Sequence, residues 1–367
     1  MHLSRHTALW IRSVLAMLVL CMAAPIILAQ QAWPTRPVKV VVTFPPGGVG
    51  DIMARLVSQQ LSEALGQPFA VDNRGGGGGN VGSSVVAKSQ PDGYTLVVTA
   101  TSVESINPLI YASMPFNPSK DLTPVSMLGG VKLFLVVKPG LPVNDTKELV
   151  SLAKSSPGKL SFGSASTGSM THLAAELFTQ QAGISATHIP YRGAAPALQD
   201  LLGGQIDYLL DPGIAFSHVR AGKLKMLAVA SMTRSSLFPQ VPTLHELGYR
   251  DVNGDTVFGL YAPAGTPAQI ITRLNQEVNK ILASPTLRAK FTEFGGEPMI
   301  MTPNEVTAWA KAEANLFGDI IKSRGIKAEL FDKGTLFEIC LLNDQIKSHS
   351  SSPFWWLRRT QARSKKV

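Results

Sequence analysis

The sequence predicts an α/β fold, and three observations predict it. Apolar runs rich in Val and Leu alternate with longer stretches of helical periodicity along residues 36–329. The chain has 367 residues, 45% of them hydrophobic and 16% charged, which buries an ample core and favours two domains over one. Its only cysteines are Cys21 and Cys340, so neither a disulfide scaffold nor a cysteine zinc site is available.

Each element follows from local pattern. Val38-Lys39-Val40-Val41-Val42-Thr43 is a β-branched run and reads as a strand. Phe44-Pro45-Pro46-Gly47-Gly48 turns the chain, and Ile52, Leu56, Leu61 and Leu65 then recur near helical spacing until Gly66 stops the helix. Further strands are expected at Thr95–Thr99, Leu133–Val137, Leu160–Gly163, Ile206–Leu210, Lys225–Ala230 and Thr256–Tyr261, with helices near 82–88, 145–155, 168–181, 193–203 and 212–220. This succession argues a parallel architecture. Thr266-Pro267 reads as the cap of a helix carrying Ile270, Ile271, Leu274, Val278 and Ile281. Thr302-Pro303-Asn304-Glu305 is a capping box that opens a helix with Val306, Trp309, Ala310, Phe317 and Ile320.

The formal net charge of +9 raises nucleic acid as a partner until the charge is located. Arg5 and Arg12 precede an uncharged 16-residue run from Val14 to Ala29, broken by Pro25. That run is too short to span a bilayer and ends on a small residue, so residues 1–29 read as an export signal rather than a retained anchor. Leu20 before Cys21 argues against lipidation. Residues 330–367 carry seven basic side chains against three acidic ones. Residues 30–329 keep 25 basic and 22 acidic side chains, a net of +3, so no nucleic-acid partner is implied. A cysteine-free body suits an oxidising compartment.

Gly77-Gly78-Gly79-Asn80-Val81-Gly82 matches the dinucleotide spacing G-x-G-x-x-G, but inside a glycine run such spacing arises cheaply. It reads as a flexible connection whose amides can approach an anion. Ser164, Ser166, Ser169 and His172 lie close in sequence without a nucleophile-elbow pattern, which leaves a secreted serine hydrolase as the alternative function. His172, His188, His218 and His245 are too far apart for a metal pair, so no metal is expected. Two loops share one feature: Pro45-Pro46-Gly47-Gly48-Val49-Gly50-Asp51 and Ser164-Ala165-Ser166-Thr167-Gly168-Ser169 each join a strand to a helix. Small residues at such a turn leave helix N-terminal N–H groups pointing outward, where a carboxylate or phosphate binds. Ordinary capping by Asp51 and Ser169 is the competing explanation.

The residues then carry a family resemblance. Trp33-Pro34-Thr35-Arg36-Pro37-Val38, Phe44 to Asp51, Asn73-Arg74-Gly75, Gly79 to Gly82 and Pro91 to Leu96 resemble the Bug-type extracytoplasmic solute receptors, the binding proteins of tripartite tricarboxylate transporters. The likeness continues through Gly168 to Phe178, Ile189-Pro190-Tyr191-Arg192-Gly193, Asp200 to Asp207 and Arg220 to Leu224, and so covers residues 33–329. It implies a type II periplasmic-binding-protein fold with two domains, two crossings between them and a ligand cleft closed by a hinge. Residues 30–133 plus 254–329 would form domain 1, and 134–253 domain 2. It also implies a small carboxylate ligand, no cofactor, a monomer, a periplasmic location, and delivery to inner-membrane transporter subunits or a sensor.

Carried over by position, the ligand set is Phe44, Gly47, Gly48, Val49, Asp51, Thr101, Ser164, Thr167, Gly168, Ser169, His172 and Asp211. Asp211 would receive a ligand amino group or cap the following helix. Ser166-Thr167 and Gly193-Ala194-Ala195 depart from the family's usual glycine-containing turns. Residues 330–367 have no counterpart in the family. A read-through or shifted frame accounts for them, and a basic membrane-touching tail around Trp355-Trp356 is the other reading.

Overall fold

The computed structural model describes residues 33–250 and 252–328. The expected export signal and the C-terminal tail lie outside those residues. The first part of the chain forms β1 (Val38–Val42), α1 (Val49–Leu65), β2 (Phe69–Asn73), a 3₁₀ turn at Gly77–Gly79, α2 (Asn80–Ala87) and β3 (Thr95–Ala100). Three short helices, α3 (Ser102–Ser105), α4 (Asn107–Ile110) and α5 (Pro118–Asp121), lead into β4 (Leu122–Val131). The middle part is β5 (Leu133–Val137), α6 (Thr146–Ser155), β6 (Ser161–Ser164), α7 (Met170–Ala182), β7 (Thr187–Pro190), α8 (Ala194–Leu202), β8 (Tyr208–Asp211), α9 (Phe216–Arg220) and β9 (Lys225–Ala230). The last part is β10 (Thr256–Pro263), α10 (Ala268–Ala283), α11 (Pro285–Glu293), β11 (Gly296–Pro298) and α12 (Pro303–Ser323).

Two sheets result, one ordered β11-β4-β10-β3-β1-β2 and the other β7-β6-β8-β5-β9. Neither is purely parallel, which corrects the architecture expected from β/α alternation. β1 runs parallel to β2 and β3, and β6 to β7 and β8, but β10 is antiparallel to β3 and β4, and β5 to β8 and β9. The reason lies in the crossings. β5 and β10 enter their sheets directly from the other sheet, so they start at the boundary toward which β1, β3 and β6 run.

The outward crossing is short, and the return segment starts beside it. Val131 pairs with Thr256 in the first sheet and Leu133 with Ala230 in the second, so Lys132 alone separates them on the outward strand. Its ammonium is 3.2 Å from Ser231 Oγ and 3.1 Å from Thr233 Oγ1 on the return segment.

The strands that pattern reading missed are β2, β7 and β11 at sheet edges and β4, which contains Pro124, Gly129 and Gly130. Edge strands bury too little to show a period of two. In β4 the glycines serve close packing, since a methyl group on Gly129 would come within 2.7 Å of the Glu297 carbonyl. Thr266 does not cap α10: its hydroxyl donates to Pro263 O at 2.7 Å, and Pro267 takes the cap position without a side-chain bond. The capping box of α12 is present, with Thr302 and Glu305 bonded reciprocally. α12 begins on one core, where Val306 packs with Val41, Val97 and Val257, and ends on another, where Phe317, Ile320 and Ile321 join Leu133, Phe162 and Phe178. Among the described residues no helix is long and apolar enough to cross a membrane.

Candidate functional site

Four strand-to-helix turns meet between the two sheets. Gly48 at the head of α1, Gly79 at α2, Ser169 at α7 and Gly193 at α8 are N-cap residues, and none makes a side-chain capping bond to its helix. Elsewhere Asp145, Ser284 and Thr302 cap α6, α11 and α12 in the usual way. Val49 and Gly50 of α1, and Met170 and Thr171 of α7, are the first residues of their helices, where N–H groups have no intrahelical acceptor. All four residues line one cleft of about 100 Å³, together with Phe44, Gly76 to Gly79, Tyr191, Ala194 and Phe258. Arg192 is the one charged side chain in that lining. Each helix end carries roughly half a positive charge, so the cleft attracts an anion without a lysine to meet it.

The first turn is built by a buried carboxylate. Asp51 accepts from Gly47 N at 3.0 Å, from Arg55 Nε at 3.0 Å and from Asn73 Nδ2 at 2.8 Å, while Asn73 also donates to Phe44 O. Burial pushes the Asp51 carboxyl up, but the bonds from Arg55, Gly47 and Asn73 outweigh it and hold it below its ordinary value. Asp51 and Gly47 therefore shape the turn from behind, while Phe44, Gly48 and Val49 face the cleft.

The second turn is likewise self-bonded. Ser169 Oγ donates to Ser166 O at 2.7 Å and lies 2.9 Å from Thr171 Oγ1, and Ala165 N donates to that Thr171 hydroxyl at 2.8 Å. Ser169 lines the cleft. Ser164, Thr167, Gly168 and His172 do not: Ser164 is 1% exposed, its Oγ 2.6 Å from His188 Nε2, and Gly168 N donates to His172 Nδ1 at 3.1 Å. Thr167 and His172 line an adjoining outer groove of about 620 Å³ that shares Gly77, Gly78, Ser166 and Tyr191 with the cleft.

Thr101 lies between two lining residues, Ala100 and Ser102, but its own N–H donates to Val257 O at 3.0 Å behind them. Asp211 is fully buried, with Oδ1 accepting from Gly213 N and Ala215 N and Oδ2 lacking a partner. Burial lifts its carboxyl to about 6, against the opposing bonds from Ala215, Gly213 and Ile214.

Two of the four turns lie outside the ligand set nominated from sequence, where the glycine run reads as a flexible connection whose amides can approach an anion. The glycine run is an ordered turn, held by Asn107 Nδ2 on Gly78 O at 3.0 Å, with φ of 120°, 55°, 63° and 93° at Gly76 to Gly79. Those four left-handed residues explain the glycines on conformational grounds. Tyr191-Arg192-Gly193 closes the cleft's rim, where a methyl group on Gly193 would lie 2.5 Å from Pro45 Cδ of the facing sheet. Its strand–glycine–helix pattern was the same signal that marked the first two turns. A larger groove of about 750 Å³, bordered by Arg36, Arg74, Lys88 and Tyr94, runs along the side of α2 through Val81, Ser84 and Val85.

Comparison with known proteins places this geometry. The sequence model for the tripartite tricarboxylate transporter family receptor matches residues 53–326. Protein BugT of Bordetella pertussis is 38% identical over 308 residues, covering 83% of this chain and 94% of that protein. An R. palustris protein solved with adipate superposes with a TM-score of 0.79 at 36% identity, covering 81% of this chain and 99% of that one. MatC from Rhodopseudomonas palustris with bound malate gives 0.74 at 31% identity, covering 79% and 100%. With the family's sequence pattern, its two-domain fold and its interdomain cleft all present, the chain belongs to the Bug-type receptors of the tripartite tricarboxylate transporter family.

Proposed function

We propose that the protein is a periplasmic receptor that captures a small carboxylate between its two domains and delivers it, as a monomer, to an inner-membrane tripartite transporter or a sensor. The observation that carries this reading is the meeting of the N-termini of α1, α7 and α8, none capped by a side chain, on a cleft with no acidic side chain in its lining. Relatives solved with adipate and with malate support a dicarboxylate within the wider class of di- and tricarboxylates, acidic amino acids and aromatic acids. The sealed Asp211, whose Oδ1 already closes its own turn, favours ligands without an ammonium group.

No chemical step is part of this reading. Ser169 bonds Ser166 and Thr171 rather than a histidine, and the Ser164–His188 contact is closed to substrate. A thermal-shift panel of mono-, di- and tricarboxylates on ligand-stripped protein tests the function. A ligand at about 100 times its Kd adds about 2.7 kcal/mol to stability, a clear rise in Tm. No shift with any carboxylate would remove the reading, and ester turnover abolished by Ser169→Ala would replace it with the hydrolase.

A further inference from the structure

Behind the second capturing turn, two imidazole rings are stacked with centroids 3.9 Å apart and planes 12° from parallel. Each grips one end of the loop Ser164 to Ser169. His188 Nε2 meets the Ser164 hydroxyl at 2.6 Å, and His172 Nδ1 accepts the Gly168 N–H at 3.1 Å. A ring nitrogen that accepts an N–H carries its lone pair there, so the hydrogen of His172 sits on Nε2. Nε2 faces Glu176 Oε1 at 3.7 Å, and Glu176 Oε2 accepts from Arg324 at 2.6 Å just past the end of α12. The loop's hold on the ligand thus passes through His172 to the helix that joins both cores.

We propose that His172 is a positioning residue for ligand capture. Its imidazole ties down the Gly168 amide through Nδ1 and fixes the loop so that the Met170 and Thr171 N–H groups stay outward for the ligand. This rests on the carboxylate-receptor reading. His172 is 5% exposed and lies outside the cleft lining, so it acts through the loop and not by touching the ligand.

The test compares wild type, His172→Asn and His172→Leu. The Asn amide oxygen stands where Nδ1 accepts, and Leu offers no acceptor. Adipate affinity is read by calorimetry at pH 8, and Gly168 amide exchange by NMR without ligand. His172→Leu is expected to bind about tenfold more weakly than wild type, and His172→Asn to recover most of that loss. Gly168 exchange should accelerate in His172→Leu and stay near wild type in His172→Asn. Equal affinity in wild type and His172→Leu, or Gly168 protection unchanged in a folded His172→Leu, overturns the proposal. If adipate binds none of the three, the receptor reading is at fault for that ligand, and the Gly168 exchange decides the role of His172 alone.

Discussion

Gly48 and Gly50 stand two residues apart at the head of α1, and a side chain would act differently at each. Gly48 has φ −76°, and a methyl group there would meet nothing closer than the Pro45 carbonyl at 3.5 Å. A side chain at Gly48 is therefore compatible with the fold but stands in the cleft, between the ligand and the first-turn amides. Gly48→Val should keep Tm within a few degrees of wild type and abolish carboxylate binding, as read by calorimetry; unchanged affinity would move the pocket elsewhere. At Gly50 a methyl group would meet the Phe44 ring at 2.5 Å, and that ring is itself packed edge-on against Phe258 at 5.4 Å. A substitution there would disturb the pocket wall and the core together, so it cannot separate binding from folding. Asp51 shows why residue type alone misleads at this scale: an acid inside an anion site would repel the ligand, yet here three donors absorb its charge and it shapes the turn.

At the scale of elements, α3 and α12 press two carboxyls together. Glu313 is 8% exposed and accepts the Ser105 hydroxyl, and Glu104 Oε2 is buried without a partner beside Tyr261. Burial raises Glu104 to about 7, with the charge of Glu313 adding and Tyr261 and Lys311 partly offsetting; burial raises Glu313 as well. A carboxyl raised on folding stabilises fully below its unfolded value near 4.5, and that contribution disappears as pH climbs to about 7. Asp211 adds a slope of the same sign up to about 6. Glu104→Gln keeps the neutral form at every pH. It should flatten much of the wild-type fall in Tm between pH 5 and pH 7.5, gaining about 2 °C or more at the upper end. Parallel curves for the two proteins would show that Glu104 ionises freely in the fold.

Across the whole molecule, closure depends on how near the two sheets approach at the rim. Gly193 has φ 158°, and a methyl group there would lie 2.5 Å from Pro45 Cδ and 2.8 Å from Cγ. Gly193→Ala should weaken carboxylate affinity about tenfold and reduce the ligand-induced contraction seen by X-ray scattering, because the rims can no longer meet. Trimming the partner in Gly193→Ala with Pro45→Gly should restore part of the affinity; no recovery would mean that the alanine acts through local strain alone. At the other end of the cleft, Lys132 is the single residue between sheets on the outward crossing, held by Ser231 and Thr233 of the return crossing. The outward crossing is thus a single residue bonded to the return segment.

The sequence by itself determined the elements whose signals are local. Apolar runs rich in Val and Leu gave β1, β5 and β9, the capping box set the start of α12, and two glycine- and serine-rich turns marked helix ends open to an anion. Family motifs spread along the chain identified the receptor type. Only the tertiary structure decided what depends on residues far apart in sequence. It set β5 and β10 against their neighbours because the chain crosses between sheets, and it ordered the glycine run through Asn107, 29 positions away from Gly78. It also put Gly193 against Pro45 and sorted the nominated ligand residues into those that face the cleft and those that hold the turns. A turn's chemistry is written in a few adjacent residues. The direction in which it points is set by packing, and His172 and Asp51 show that polar residues beside a site can serve it by bonding the backbone behind it.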